Sequence, residues 1–219
     1  TFNKNLLAFG DPIYNTGEQP QVLDTKVREF SDLIQIETDS ADFSNDYAAL
    51  ELMDWPQIPY TRKEIESIGD VQKDAQIYLG QEASEEKIKE LSESGELMDF
   101  RVIHFATHGI MIPEKPELNA IVLSLNKENN SREDGFLRTP EISELQLQAE
   151  LVTLSACETA LGKKYMAEGI VGLTNAFILS GADAVIATLW PIADEATSLF
   201  MTRFYDNAYK EDDFLVGLN

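Results

Sequence analysis

Residues 151–162 read LVTLSACETALG and contain the single cysteine of the chain, Cys157. The first four residues, LVTL, are apolar or β-branched, a composition typical of a buried strand. The small residues Ser155 and Ala156 interrupt this pattern, and the acidic Glu158 follows the cysteine. We therefore predict a buried strand that ends in a turn and carries the Cys157 thiol at its carboxyl end.

A second stretch of the same kind places a histidine beside a strand end. Residues 101–107 read RVIHFAT and lead directly into His108 and Gly109. If the two strands are parallel neighbours, His108 and Cys157 meet at one edge of one sheet. His104 lies four residues before His108, so it is predicted to point to the same face, and its mid-strand position favours a structural role.

Length and composition indicate a folded domain in a reducing compartment. The chain has 219 residues, of which 43% are hydrophobic, with 8 prolines and 12 glycines, as expected for one large or two small globular domains. One cysteine excludes an internal disulfide framework, and one cysteine with two histidines disfavours a structural zinc site. We predict no metal and no cofactor. Without a long apolar run or a signal-peptide pattern, we predict a cytoplasmic protein and no membrane partner.

The charge balance is strongly acidic. The chain carries 17 Lys and Arg against 39 Asp and Glu, which leaves a formal net charge of −22. This charge disfavours direct binding to nucleic acids and to anionic lipid surfaces, and it favours a basic partner or substrate. The chain begins with Thr1 and stops at Asn219 without an evident finish, so we expect it to be a piece of a longer protein.

Strand and helix signals alternate along most of the chain. We predict strands at 5–10, 76–80, 101–107, 119–125, 151–154 and 184–190, and helices at about 61–72, 84–94, 140–145, 168–179 and 194–209. Thr61 and Glu64 have the spacing of a capping box. The helix at 168–179 is apolar almost all round, which predicts burial between layers, and residues 126–135 are predicted to form a hairpin tip. Continuously apolar strands predict an α/β fold with a mostly parallel sheet sandwiched by helices.

Residues 13–57 do not follow this alternation. Between Asp24 and Asp54 the chain has nine acidic and two basic residues, and Pro56 and Pro59 close the stretch. We interpret it as an acidic insertion on the surface, because a connection of this length is uncommon inside a compact domain. The alternative is a regulatory or partner-binding segment.

A cysteine and a histidine at one sheet edge are suited to acyl transfer. A thiol is a weak nucleophile until a neighbouring imidazole takes its proton, and backbone N–H groups, here those of Gly109 and Cys157, can stabilise the oxyanion. Two other interpretations stay open. Cys157 can be a small buried residue at a strand end. Ser155 is a weaker alternative nucleophile, because no acidic partner is placed to complete a triad with His108.

Ordered motifs in the chain resemble the CHAT domain, a caspase-like cysteine peptidase module related to separases and commonly attached to helical TPR repeats. They read HFATHG at 104–109, LSACETALG at 154–162, EG at 168–169, LWP at 189–191 and DEAT at 194–197. The similarity extends upstream to residues 8–12, 59–64 and 78–80. The resemblance implies that Cys157 is the nucleophile, that His108 is the general base or thiolate partner, and that Gly109 and the Cys157 amide form the oxyanion site.

The resemblance also implies a fold and a function. We expect a caspase-like domain in which residues 1–100, with the acidic insertion 13–57, form a smaller pseudo-caspase half and residues 101–219 form the catalytic half. The expected function is a regulated endopeptidase that cleaves one or a few protein substrates after a signal from an activating partner or from attached sensor or TPR domains. The isolated chain is then expected to be nearly inert. The alternative is a catalytically silent interaction module of the same fold.

Substrate selection is the last expectation. The acidic residues considered for the substrate pocket are Asp194, Glu158 and Glu168. A carboxylate at the base of a cleft pairs with Lys or Arg, so Asp194 predicts a basic or long unbranched residue before the scissile bond. The alternative role for Asp194 is to cap the helix that follows it. For the catalytic pair, we expect the His108 ring within about 4–7 Å of the Cys157 sulfur.

Overall fold

The computed structural model of the protein describes residues 2–14, 55–72, 74–111, 118–125, 133–155, 166–188 and 194–214. The strands in these ranges are β1 Lys4–Gly10, β2 Gln76–Leu79, β3 Phe100–Ala106, β4 His108–Ile110, β5 Ala120–Val122, β6 Phe136–Arg138, β7 Leu151–Leu154 and β8 Val185–Ala187. The α-helices are α1 Pro59–Val71, α2 Glu85–Glu93, α3 Thr139–Glu144, α4 Met166–Leu179 and α5 Asp194–Glu211. Short 3-10 helices span Gly80–Glu82 and Glu96–Asp99.

A parallel sheet of five strands, in the order β2-β1-β3-β7-β8, forms the centre of the fold. Every neighbouring pair in it is parallel, which confirms the predicted mostly parallel sheet. β3 and β7 are direct neighbours, with His104 opposite Thr153 and Phe105 opposite Leu154. β1 and β2, from the first 100 residues, share this sheet with the later strands, and the division of the chain at residue 100 stays a prediction.

Helices cover both faces of this sheet, as predicted. Successive residues of a strand point to opposite faces, so Ala8 and Phe9 of β1 belong to different layers of the core. The layer on the Phe9 side contains apolar residues of α2, α3 and α4: Ile88, Leu91, Ile142, Leu173 and Phe177. The layer on the Ala8 side contains those of α1 and α5: Ile65, Ile68, Met201, Phe204 and Tyr205. Two covered faces explain why these strands are continuously apolar rather than alternating.

A second sheet is antiparallel and was not predicted. It has the order β4-β5-β6, so the strand expected at 119–125 is shorter and belongs to this sheet. The antiparallel pairing of β5 with β6 agrees with the predicted hairpin, whose tip at 126–132 lies outside the described residues. The chain bends at Thr107, so His108 begins a strand of the second sheet and does not share a face with His104. That prediction was wrong, because apolar composition does not reveal where a strand changes sheets.

The start of α1 differs from the predicted capping box. Its N-cap is Ile58, which makes no side-chain capping hydrogen bond, and Pro59 occupies the first turn. Pro is well suited to this position because it lacks the N–H that a helix start leaves unpaired. The Thr61 hydroxyl donates to the Ile58 carbonyl at 2.8 Å, and Glu64 is buried instead of capping the helix. In contrast, Ser84 caps α2 with its side chain, because its hydroxyl accepts the Lys87 N–H.

From Ile170 onward, where the structure describes its side chains, helix α4 buries one side only, so its predicted burial between layers was wrong. Its buried side consists of Ile170, Leu173, Ala176 and Phe177. On the other side Val171 and Leu179 are 55% and 77% exposed. The helix is followed by Gly181, which has a φ of 115°; a Cβ there would lie 2.3 Å from the Leu147 carbonyl oxygen. Within the described ranges, no helix is both long and apolar enough to cross a bilayer.

Three carboxylates surround Lys89 on α2. The Lys89 ammonium lies 2.7 Å from Glu85 and 2.7 Å from Glu141, and it also pairs with Glu133. Glu85 is 1% exposed, and its second carboxylate oxygen accepts the Gly135 N–H at 2.8 Å, which connects α2 to the turn before β6. Burial raises the pKa of Glu85 to about 8, although its hydrogen bond with Lys89 acts in the opposite direction.

Replacing Glu85 by glutamine should remove a pH-dependent contribution to stability. The folded protein holds the Glu85 proton up to a pKa of about 8, whereas the ordinary value is 4.5. Between these values the folded state binds more protons than the unfolded state, so stability falls as pH rises, by up to about 1.4 kcal/mol per pH unit. In urea denaturation, we expect wild type to lose stability relative to Glu85→Gln between about pH 5 and pH 8. The control is Glu86→Gln, at an exposed neighbouring position, whose stability difference from wild type should not change with pH. A stability difference between wild type and Glu85→Gln that is also independent of pH would contradict the prediction.

Candidate active site

The candidate site lies where β3 and β7 end. Both strands are parallel, so their carboxyl ends lie at the same edge of the sheet, where ligands bind in open α/β folds. β3 ends at Ala106 and β7 at Leu154, and just beyond it the Ser155 N–H donates to the Phe105 carbonyl at 2.8 Å. This confirms that the strands preceding His108 and Cys157 are parallel neighbours.

His108 is buried, and its ring is held in one orientation. Its Nε2 lies 2.7 Å from the Pro56 carbonyl oxygen. A carbonyl only accepts hydrogen bonds, so Nε2 carries the proton. In the neutral ring Nδ1 is then the unprotonated nitrogen, which is the form of imidazole that can accept a proton from a thiol.

Two aromatic side chains pack against the His108 ring. The Tyr14 ring centroid lies 4.8 Å from that of His108, and the Trp55 centroid lies 5.5 Å from it. The Tyr14 hydroxyl oxygen also accepts the backbone N–H of His108 at 3.1 Å. Burial holds the pKa of Tyr14 well above its usual range, which keeps this hydroxyl neutral. These contacts restrict both the backbone and the ring of His108.

Tyr14, Trp55 and Pro56 were missed by sequence reasoning. All three fall inside the predicted acidic surface insertion, yet Tyr14 and Trp55 are buried with Phe136 in a separate apolar cluster. Residues 15–54, which separate them in the chain, lie outside the described residues. The available signal was an aromatic residue at each end of a strongly acidic stretch.

Gly109 follows His108 on β4, which is an edge strand of the second sheet as described. It lies opposite Ile121 of β5. Two residues after Ile121, Leu123 donates its N–H to the Gly135 carbonyl on the β6 side. Backbone groups of residues two apart point the same way, so those of Ile121 face β6. The Gly109 N–H therefore faces away from β5.

A small apolar cleft joins the ends of the two strands. It is lined by Phe105, Thr107, His108, Gly109, Met111, Ile121, Leu154 and Leu173. His108 and Gly109 thus share one cleft with Leu154, the last residue of β7. The cleft therefore brings the His108 side chain and the backbone of Gly109, on an edge strand, next to the end of β7, from which the chain continues toward Cys157.

His104 is separate from this cleft. It is fully buried, with Nε2 2.8 Å from a Glu64 carboxylate oxygen and Nδ1 3.0 Å from the Tyr205 hydroxyl. Both ring nitrogens are thus engaged, in agreement with the predicted structural role. The Ser155 hydroxyl donates to the same oxygen of Glu64. Ser155 is therefore bonded to an acid on α1, not to His108, which does not favour it as a nucleophile.

The remaining predicted site residues cannot be placed beside His108. Cys157 and Glu158 lie outside the described residues, so the distance from Cys157 to His108 stays a prediction. Glu168 lies in the first turn of α4, and Asp194 is the first residue of α5. Their side chains are outside the described part of the protein.

Comparisons with known proteins agree with this architecture. Residues 3–214 match the family model of the CHAT domain. Over 72 residues, the chain is 36% identical to tetratricopeptide repeat protein 28 of Mus musculus and 33% identical to the protein of the same name from Homo sapiens. Each alignment covers 33% of this chain and 3% of the relative, so the chain matches a small part of these relatives. Because the family match spans almost the whole chain, and the parallel α/β sheet is the fold expected for it, the protein belongs to the CHAT domain family.

Proposed function

We propose that the protein is a cysteine endopeptidase in which Cys157 attacks a peptide carbonyl and His108 is its base. The observation that carries this proposal is the 2.7 Å hydrogen bond from His108 Nε2 to the Pro56 carbonyl. It leaves Nδ1 as the basic nitrogen at the sheet edge to which the Cys157 segment leads. Membership of a family that resembles caspases supports the same assignment.

The first half of the reaction forms an acyl-enzyme. His108 Nδ1 takes the thiol proton, and the Pro56 carbonyl dipole stabilises the resulting imidazolium through Nε2–H. The Cys157 thiolate forms a bond to the carbonyl carbon, and the π electron pair moves to the oxygen. The N–H groups of Gly109 and Cys157 stabilise this oxyanion; in comparable sites one such donor is worth about 3–4 kcal/mol. When the C–N bond breaks, His108 gives its proton to the leaving amine.

The second half releases the acid product. Water replaces the amine, and His108 Nδ1 takes a proton from it as the water oxygen attacks the thioester carbonyl. The second tetrahedral intermediate then expels the Cys157 thiolate, and the proton on His108 returns to the sulfur. His108 transfers a proton in both halves of the reaction. Its Nδ1 must therefore face the reacting groups in both, which requires a fixed orientation of the ring.

We also propose that this activity is regulated. Tyr14 and Trp55 flank the acidic residues 15–54 in the chain, and both contact the His108 ring. A partner or attached domain that pulls on either end of this segment would act directly on His108. The TPR-named relatives support an attached TPR region as the source of the signal.

For the substrate, we propose a protein with a basic residue before the scissile bond. The net charge of −22 attracts basic segments. Asp194, with Glu158 and Glu168 as further candidates, would pair with that residue through charge-assisted hydrogen bonds. A second candidate function is a catalytically silent interaction module. The exposed Val171, Ile178 and Leu179 on α4 favour it, because such an apolar helix face is typical of partner surfaces.

Labelling with a peptide electrophile separates the two functions. The full-length protein with its activating partner is incubated with a peptidyl acyloxymethyl ketone that has arginine before the reactive group, and with the matched aspartate probe. We expect mass spectrometry to find the arginine probe on Cys157, and labelling to be lost in His108→Ala. Preference for the aspartate probe would contradict the proposed specificity. No His108-dependent labelling by either probe would support the silent module.

A further inference from the structure

Five buried polar side chains from four elements form one hydrogen-bonded group behind the candidate site. They are Glu64 of α1, His104 of β3, Thr153 and Ser155 at the end of β7, and Tyr205 of α5. None is more than 2% exposed. We call this group the Glu64 cluster.

Glu64 is the only acid in the cluster and its central acceptor. One of its carboxylate oxygens accepts from His104 Nε2 at 2.8 Å and also from the Ser155 hydroxyl. On the far side of His104, the Tyr205 hydroxyl lies 3.0 Å from Nδ1 and donates to Thr153 Oγ1 at 2.9 Å. Burying a carboxylate costs free energy unless the group is hydrogen-bonded, so the folded protein strongly favours conformations that keep these hydrogen bonds to Glu64.

The cluster joins the two strands that lead to the catalytic pair. His104 and Thr153 are register partners on β3 and β7. His104 precedes His108 by four residues, and Ser155 precedes Cys157 by two. Ser155 is held at this point by two hydrogen bonds, one from its N–H to the Phe105 carbonyl of β3 and one from its hydroxyl to Glu64 of α1. The hydroxyl bond is the one that ties the end of β7 to a helix, so it restrains the direction in which the chain leaves the sheet.

We propose that Glu64 is a positioning residue for the catalytic thiol, acting through Ser155. The inference rests on the proposed function, because it assigns Glu64 to the geometry of the Cys157/His108 pair. Through its hydrogen bond to Ser155, Glu64 fixes the point at which the chain leaves β7 relative to β3. Loss of that bond lets the Cys157 segment move away from His108, which weakens the thiolate–imidazolium pair without removing either partner.

The single cysteine makes this measurable without knowing the substrate. Cys157 is the only thiol in the chain, so the rate of alkylation by iodoacetamide, followed at the Cys157 peptide by mass spectrometry, reports its ionisation. The experiment compares the pH dependence of this rate in the full-length protein with its activating partner for wild type, Ser155→Ala and Glu64→Gln. Ser155→Ala removes one hydroxyl and keeps the Glu64–His104 bond. Ser92→Ala is the matched control, since Ser92 is a buried serine whose hydroxyl accepts the Gln146 N–H at 2.9 Å, on α2.

We expect both cluster variants to raise the pH midpoint of Cys157 alkylation by about one unit, which lowers the rate at neutral pH about tenfold. Ser92→Ala should keep the wild-type midpoint even if it lowers thermal stability, because a purely structural loss does not change thiol ionisation. If Glu64→Gln does not fold, Ser155→Ala decides the question alone.

The other outcomes overturn the inference in distinguishable ways. A low wild-type midpoint that depends on His108 but is unchanged in Ser155→Ala rejects the positioning role and leaves the proposed function intact. A wild-type midpoint near 8.5, the ordinary pKa of a thiol, that is unchanged in His108→Ala rejects the catalytic pair, and the positioning role with it.

Discussion

Replacing His108 by asparagine should lower kcat/KM for peptide cleavage by the activated full-length protein about a thousandfold. General bases contribute about 10²–10⁴-fold to such reactions, and an amide cannot take the thiol proton. Asparagine places its amide near the position of Nδ1 and does not reach the Pro56 carbonyl, so the loss reports proton transfer provided that the variant stays folded. The measurement is the steady-state rate with a fluorogenic peptide that has arginine before the cleaved bond.

Two controls accompany this variant. Cys157→Ala should be at least as inactive, and adding His108→Asn to it should cause no further loss, because residues that act as one unit are not additive. Thermal unfolding should show that His108→Asn remains folded. A His108→Asn protein that retains more than about a tenth of the wild-type rate would argue against His108 as the base.

Replacing Trp55 by alanine should have two effects of different origin. Trp55 is 3% exposed and contacts Phe136, with ring centroids 6.1 Å apart, so its truncation should cost about 3–5 kcal/mol of the free energy of unfolding. It also removes the ring that packs on His108 and loosens the segment that presents the Pro56 carbonyl. We therefore expect the alkylation rate of Cys157 at neutral pH to fall about tenfold or more.

Phe100→Ala is the matched control for this variant. Phe100 is a fully buried aromatic residue at the start of β3, the opposite end of the strand from the candidate site. It should lose comparable stability in urea denaturation and keep the wild-type alkylation profile. Equal alkylation profiles for Trp55→Ala and wild type, both measured well below their unfolding midpoints, would show that the Trp55 contact does not support His108.

The position of Trp55 has a consequence for regulation. Tyr14 and Trp55 adjoin residues 15–54 in the chain, and the rings of both contact the His108 ring. In the regulation proposed above, a partner that shifts Trp55 would change the orientation of the His108 ring. Regulation of this kind requires no contact with the substrate cleft.

The sequence by itself determined the parallel α/β core and the residues to consider for catalysis. Buried strands of a parallel sheet that is covered on both faces are continuously apolar, and the sequences of β1, β3 and β7 show this local pattern. The Ser84 cap and the glycine after α4 are equally local signals. His108, Gly109 and Cys157 could be named because each follows a predicted strand in the sequence, and the family resemblance rests on the same short motifs.

Only the tertiary structure decided what surrounds these residues. Pro56 and His108 are 52 residues apart, and Glu64 and Ser155 are 91 apart, so no local pattern predicts that they meet. Glu64 had the spacing of a helix cap, but a buried histidine and serine hold its carboxylate more strongly than an exposed helix end would. Hydrogen-bond partners of buried polar groups are set by the packing of whole elements, whereas periodicity and capping depend on neighbours within a few residues.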